Sequence, residues 1–268
     1  MTESEHKELP NQAKVDWLLS DERNFPHFSV RPHCRYLICS TARCGSNLVG
    51  DMLHQTGLAG DPLEYLNTRY IKGVLRKQSL SIEPGGLDLA AYLAGLEQVR
   101  TSPNGYFGMK AHFEHVENLV RQRPADAQRL LRRFDRFVLL RRRGKLEQAV
   151  SLYRARATQI WSSLDLEFME KDNPRRHMQV PFSGAKIARA LADICRQEKA
   201  WEDLLTALSL PFQVFWYEDF VQDYAAASAD LLRALGLPAN AAQPTAPRLR
   251  KQGQADDVLI DRFRAFLG

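Results

Sequence analysis

The stretch Tyr36-Leu37-Ile38-Cys39-Ser40-Thr41-Ala42-Arg43-Cys44-Gly45-Ser46-Asn47-Leu48-Val49 decides the fold. Arg35 to Ser40 is a compact apolar run ending in small polar residues, the pattern of a buried strand. From Ser46 to Gln55, the residues Leu48, Val49, Met52 and Leu53 share one helical stripe, and Gly57 stands where such a helix stops. The order is therefore strand, glycine-containing turn, helix. Backbone N–H groups at a helix N-terminus have no intrahelical partner, and the helix dipole adds positive charge there. An oxyanion fits such a nest. Gly45 lets the backbone approach a ligand, Ser46 is expected to cap the helix and donate a hydrogen bond, and Arg43 supplies a full charge. On local features alone, an anion nest and an ordinary capped connection stand level. The loop lacks the Gly-Lys-Ser/Thr of a nucleoside triphosphate loop, and it also lacks G-x-G-x-x-G.

Beyond this stretch, Tyr106 to Lys110, Arg136 to Arg141 and Gln213 to Tyr217 read as further strands. Helical patterns cover Glu114 to Gln122, Lys145 to Trp161, Ala185 to Leu208 (apolar stripe Ile187, Leu191, Ile194, Leu204), Ala225 to Leu235 and Val258 to Phe266. Strands alternating with helices place the chain in the α/β class, with a P-loop-like parallel sheet flanked by helices. With 268 residues, 44% of them hydrophobic, one domain with helical insertions is expected. The segment from Leu63 to Pro103, broken at Pro84-Gly85-Gly86, reads as an insertion or lid rather than sheet. Residues 1–33 read as an N-terminal arm with one short helix around Val15, Trp17, Leu18 and Leu19.

The formal charge of +5 hints at an anionic ligand, and its distribution says more. Basic residues crowd the stretch from Arg121 to Lys145, answered by few acids. A nucleic-acid-binding protein would use that run, but it carries no helix-turn-helix, zinc or RRM signature, and Phe134 and Phe137 read as core. No nucleic-acid partner is expected. Cys34, Cys39, Cys44 and Cys195 form no C-x-x-C pair, which argues against a disulfide framework and a metal site. The N-terminus is polar and acidic, unlike a signal peptide, and no run approaches the roughly 20 apolar residues of a membrane helix. A cytoplasmic protein without an integral membrane segment is expected.

At this point the sequence resembles a known family. The loop, followed by Thr56-Gly57-Leu58-Ala59-Gly60-Asp61-Pro62-Leu63-Glu64-Tyr65, is similar to the bacterial carbohydrate sulfotransferases of the trehalose 2-sulfotransferase type. Many of those read R-S-G-S-[TN]-L-L and then T-G-x-A-G-x-P-x-E-[YF]. Here Cys44 replaces the first serine, leaving its backbone N–H as the contribution. Leu139 to Ala155 resembles the family's second cofactor segment, in which an arginine at a strand end and a serine on the next helix hold a 3′-phosphate. Arg142 and Ser151 fit by spacing, with Arg143 as the neighbouring alternative. Trp216 to Asp223 resembles a Y-E-D-L signature that is also explained by a strand followed by a helix N-cap at Asp219. Leu249 to Asp256 resembles an R-Q-A-D tail, which brings Arg250, Lys251 and Gln252 in as cofactor residues.

The resemblance implies a sulfotransferase domain over residues 34–268. It would use 3′-phosphoadenylyl sulfate (PAPS), release PAP, and modify a carbohydrate or glycolipid hydroxyl. Ser40, Thr41, Ala42, Arg43, Cys44, Gly45, Ser46 and Asn47 would hold the phosphosulfate. Glu64 would be the base and Arg43 would also stabilise charge in the transition state. Without the resemblance, Glu64 reads equally as a charge at a helix start. Lys110 is a candidate for the acceptor site, His112 and His115 are lesser bases, and Trp161, Tyr153 and Tyr65 are aromatics that either face the sugar or fill the core. Activated sulfate needs no metal. A homodimer is implied by the resemblance, not by the residues. The competing readings are a P-loop-type nucleotide-dependent kinase and a non-enzymatic nucleic-acid-binding protein.

Overall fold

A computed structural model describes residues 12–77, 87–241 and 255–268. In chain order its elements are α1 (Gln12–Leu18), β1 (Cys34–Ser40), α2 (Ser46–Gln55), α3 (Thr68–Lys77), α4 (Leu89–Arg100), β2 (Tyr106–His112), α5 (Phe113–Gln122) and α6 (Pro124–Leu131). There follow β3 (Arg136–Arg141), α7 (Lys145–Thr158), α8 (Ser163–Glu167), α9 (Gly184–Ala207), β4 (Phe212–Trp216), α10 (Tyr217–Gln222), α11 (Tyr224–Ala234) and α12 (Ala255–Leu267).

All seven residues of β1 are buried, because a central parallel strand is covered on both faces. Its neighbours run parallel to it. Cys34 to Ser40 pair with Tyr106 to His112, Tyr36 to Cys39 pair with Arg136 to Leu139, and β4 adds to the outer side of β3. The sheet order is β2-β1-β3-β4, a P-loop-like α/β domain. Side chains alternate as the pleat requires. Leu37, Cys39, Phe107, Met109 and Leu139 join a core containing residues of α1, α3, α4, α5, α6 and α9. Tyr36, Ile38, Val138 and Leu140 join Val49 and Leu53 of α2 and Leu231 and Leu232 of α11. A third cluster joins Ala42 to α7, α9 and α12.

Several expected boundaries move. β2 continues to His112, because Ala111 and His112 complete its ladder with Cys39 and Ser40. α7 stops at Thr158, where Gln159 takes a left-handed φ of 58°, and Tyr217 opens α10 instead of closing β4. The buried stripe of α9 is Ile187, Ala190, Ile194, Gln197, Trp201 and Leu205, while Leu191 and Leu204 lie on its half-buried flanks. The segment from Leu63 to Pro103 was expected to be an insertion or lid rather than sheet. Instead Leu63 bridges Met109 in parallel, and Lys110 N donates to Leu63 O at 3.0 Å. That bridge brings Glu64 to the C-terminal end of β2. Val15, Leu18 and Leu19 of the N-terminal arm are buried in the domain core. Among the described residues, no helix is long and apolar enough to cross a membrane.

Candidate active site

The connection leaving β1 leads toward β2 and the one leaving β3 leads toward β4, so their C-terminal ends open a crevice between them. Ligands of open α/β sheets bind at such a switch point. A cavity of about 330 Å³ lies there, and its walls include Arg43, Gly45, Asn47, Glu64, Arg142 and Ser151.

The β1–α2 loop turns through two left-handed residues, Arg43 (φ 66°) and Gly45 (φ 93°). A side chain at Gly45 would place its Cβ 2.3 Å from the Tyr217 ring, so both the backbone and the neighbour demand glycine. Gly45, not Ser46, is the N-cap of α2, and Ser46 is the first helical residue. Ala42, Arg43, Gly45, Ser46 and Asn47 line the cavity. Ser40, Thr41 and Cys44, also expected at the ligand, lie beneath it. The Ser40 carbonyl accepts from Trp201 Nε1 at 2.9 Å, and Thr41 Oγ1 accepts from Gln148 Nε2 at 2.9 Å. Cys44 is fully buried against α2, and burial pushes its thiol above the ordinary value, which removes it as a reactive thiolate.

Two guanidiniums dominate one part of the cavity. Arg43 Nε donates to Ser151 Oγ at 2.9 Å, and among the described residues no carboxylate stands within ion-pair distance of it. Burial works against its charge, opposed by the more distant Asp256. Arg142 donates to Arg43 O at 3.4 Å and lies 5.0 Å from the centre of the Tyr217 ring, its Nε 3.9 Å from Glu218 Oε1 and without a hydrogen bond. Arg143 turns away, forking onto Asp219 at 2.6 and 3.3 Å over the Trp216 ring. Of the two alternatives, Arg142 reaches the cavity with Ser151. Arg250, Lys251 and Gln252 lie outside the described residues. Asp256 from the same tail lines the cavity and pairs with Arg154.

Glu64 Oε1 is 3.5 Å from both Lys110 Nζ and His112 Nε2, and Asn67 Nδ2 donates to its Oε2 at 3.4 Å. Lys110 also bonds Asn47 Oδ1, and His112 Nδ1 is 2.9 Å from Ser40 Oγ. Burial disfavours the Glu64 carboxylate, but His112, Lys110, His115 and Lys14 outweigh it and hold the carboxyl well below the usual range. Burial pushes His112 down to about 3, so its ring acts on Glu64 as a cation only in acid and is neutral at neutral pH, where Lys110 is the cation 3.5 Å from the carboxylate. His115 lines the cavity, its ring centre 5.1 Å from that of His112. Of the three aromatics, Trp161 lines the cavity. Tyr65 is core, stacked on Phe107 and bonded to Asp61 O at 2.7 Å, while Tyr153 bonds Pro181 O at 2.5 Å.

Sequence reasoning missed Tyr217, Glu218 and Lys14. Glu218 accepts from the backbone N–H of Arg143 at 2.9 Å and of Gly144 at 3.0 Å, which locks the loop after β3. The signal was present in Trp216 to Asp223, which had an adequate local explanation as a strand and cap. Asp219 is not that cap, since α10 begins two residues before it, at Tyr217. Lys14 carried no local signal at all.

Residues 35–266 match the family model described as Stf0 sulphotransferase. A trehalose 2-sulfotransferase of Mycobacterium tuberculosis is 29% identical over 273 residues, covering 88% of this chain and 96% of the relative. A trehalose 2-sulfotransferase of Mycolicibacterium smegmatis is 25% identical over 266 residues, covering 85% and 94%. Among solved structures, a sulfotransferase from Alicyclobacillus acidocaldarius aligns with a TM-score of 0.45 at 16% identity, covering 88% of this chain and 92% of that one.

Proposed function

The chain belongs to the Stf0 sulphotransferase family, and from that membership we propose that it moves a sulfuryl group from PAPS to a hydroxyl of a carbohydrate or glycoconjugate. The observation that carries this reading is one cavity walled by both a half-buried Arg43, with no carboxylate in ion-pair distance among the described residues, and an ionised Glu64. Two half-buried guanidiniums, Arg43 without a carboxylate in ion-pair distance and Arg142 with Glu218 Oε1 no nearer than 3.9 Å, leave positive charge for an anion to satisfy. PAPS fits that chemistry, and when bound it supplies sulfate already activated on a phosphate. Arg43, Ser46 and Asn47 would hold the phosphosulfate end, and Arg142 with Ser151 the 3′-phosphate.

Transfer at sulfur resembles phosphoryl transfer, so the protein contributes mainly position and charge. Arg43 faces the charge that builds on the equatorial oxygens and the departing phosphate. Glu64 takes the acceptor hydroxyl's proton. Its low proton affinity makes it a weak base by itself, but a donor's negative charge near Arg43 and Lys110 would raise that affinity toward the working range. Lys110 and Asn67 hold the carboxylate in place. The arm of residues 1–33 and the domain of residues 34–268 act together in this scheme.

The test is a PAPS-dependent assay on a panel of free sugars and glycoconjugates, read by mass for an added sulfate. The two relatives' names put trehalose first on that panel. PAP binding by calorimetry without any sulfated product would refute the acceptor class, and absent PAP binding would refute the donor.

A further inference from the structure

The family model begins at residue 35, yet Lys14 and Val15 of α1 line the cavity that holds Glu64. This earlier segment is fixed to the domain at many points. Val15, Leu18 and Leu19 are buried in the core. Arg100 donates to Leu18 O at 3.2 Å and to Ser20 O at 3.3 Å, and Arg23 forks onto Asp61 at 2.6 and 3.1 Å. Phe25 N and Phe28 N donate to Val99 O at 2.9 Å and Gln98 O at 2.8 Å. The segment is a built wall.

Lys14 sits where that wall meets the chemistry. Its Nζ pairs with Asp165 Oδ1, and Asp165 Oδ2 accepts from Trp161 N at 2.9 Å, Ser162 N at 2.5 Å and Ser162 Oγ at 3.0 Å. One buried carboxylate thereby ties α1 to the turn before α8. Trp161, Ser162 and Ser163 of that turn line the same cavity. A second cavity of about 50 Å³ shares Lys14, Asn47, Tyr70 and Ser162 with the first, so Lys14 stands on the partition between them. Its charge is felt by both Glu64 and Lys110. An ammonium has three donors, and Asp165 takes one of them.

Resting on the sulfotransferase reading, we infer that α1 and the Trp161–Ser163 turn, joined through Lys14 and Asp165, form the acceptor wall, where Lys14 binds a hydroxyl oxygen of the carbohydrate and sets acceptor specificity. Because the wall comes from residues before the family-matched stretch, acceptor choice in this chain is partly written outside the shared domain.

The experiment uses full-length protein. Lys14→Met keeps the aliphatic stem and removes the donors, and Lys14→Arg restores a cation. Initial rates with PAPS are measured against trehalose and a panel of free mono- and disaccharides, alongside PAP calorimetry. Loss of a charged hydrogen bond should raise the KM of the best panel sugar about tenfold or more in Lys14→Met. PAP affinity and PAPS KM should stay within about twofold, kcat should change far less than the sugar KM, and Lys14→Arg should recover most of the loss. An unchanged sugar KM and panel ranking in Lys14→Met, with wild type active, overturns this inference alone. Wild type that binds PAP but sulfates no panel sugar removes the carbohydrate reading and this inference with it. If Lys14→Met fails to fold because Asp165 is left buried and unpaired, the double variant with Asp165→Asn is measured and judged by the same sugar KM.

Discussion

An arginine withdrawn from water with no carboxylate in ion-pair distance is costly unless an anion completes it, and the half-buried Arg43 is held that way in a left-handed conformation. Arg43→Ala and Arg142→Ala should therefore each weaken PAP binding about tenfold or more by calorimetry. Arg143→Ala should leave it unchanged, because that side chain is spent on Asp219. Equal affinity in all three would break the assignment. In the proposed reaction Glu64 acts on the other partner. Glu64→Gln should lower kcat by roughly two to four orders of magnitude with PAP affinity near wild type, and full turnover would refute it as the base. The same pocket makes stability depend on pH. His112 titrates at about 3 when folded against 6.5 in the reference state, so between those values the unfolded chain binds more protons. Stability should fall on acidification through that window, and Glu64, also depressed when folded, adds to the loss at the acidic end. Melting midpoints from pH 7.5 to 4.5 should slope less in His112→Asn than in wild type; parallel slopes would exclude His112 as the source. Arg43, Ser151 and Glu64, which line one cavity, were singled out in the sequence, the last two only through the family resemblance. Lys14 was not, since only the tertiary fold brings it to Glu64.

At the scale of elements, the strands were readable because a central parallel strand is buried on both faces and so mostly apolar, as β1 and the middle of β3 are. Helix ends were less so. α7 ends through a left-handed Gln159, a residue that carries no stop signal, and the buried stripe of α9 drifts away from Leu191 and Leu204 as the helix passes from one core cluster to another. The least legible joint is the one between the β1–α2 loop and α10. Gly45 looks like a turn glycine, and only the packed structure shows the Tyr217 ring filling the space beside it. Two costs follow for Gly45→Ala: a φ of 93° that alanine resists, and a Cβ 2.3 Å from that ring. PAP affinity should fall about tenfold or more. Adding Tyr217→Ala should recover the steric part alone, because the backbone cost remains. Full recovery in the double variant would mean the loop conformation carries no strain.

Across the whole molecule, Asp61 binds together parts that are far apart in the chain. It follows Gly60, whose φ of 72° and closeness to backbone carbonyls leave no room for a side chain, and it is 1% exposed. Arg23 from the arm reaches its carboxylate at 2.6 Å and Arg100 from α4 at 2.8 Å, while its own carbonyl takes the Tyr65 hydroxyl at 2.7 Å. Glu64 lies three residues further on, so this hub anchors the turn that carries the proposed base. The T-G-x-A-G-x-P-x-E pattern was read for its glutamate, and the neighbouring aspartate's part in the architecture could not be seen until the arm folded back onto it. Asp61→Ala strands two buried guanidiniums, a loss of about 3 kcal/mol or more for a broken buried network. For a domain of this size that corresponds to a melting midpoint lower by roughly 6–12 °C. Asp61→Asn keeps the shape and one acceptor and should lose less. Because the arm, α4 and the Glu64 turn meet at one carboxylate, both variants should still melt in a single transition. An early separate transition in Asp61→Ala would show instead that the arm folds independently, and the wall carrying Lys14 would then be detachable from the domain it serves.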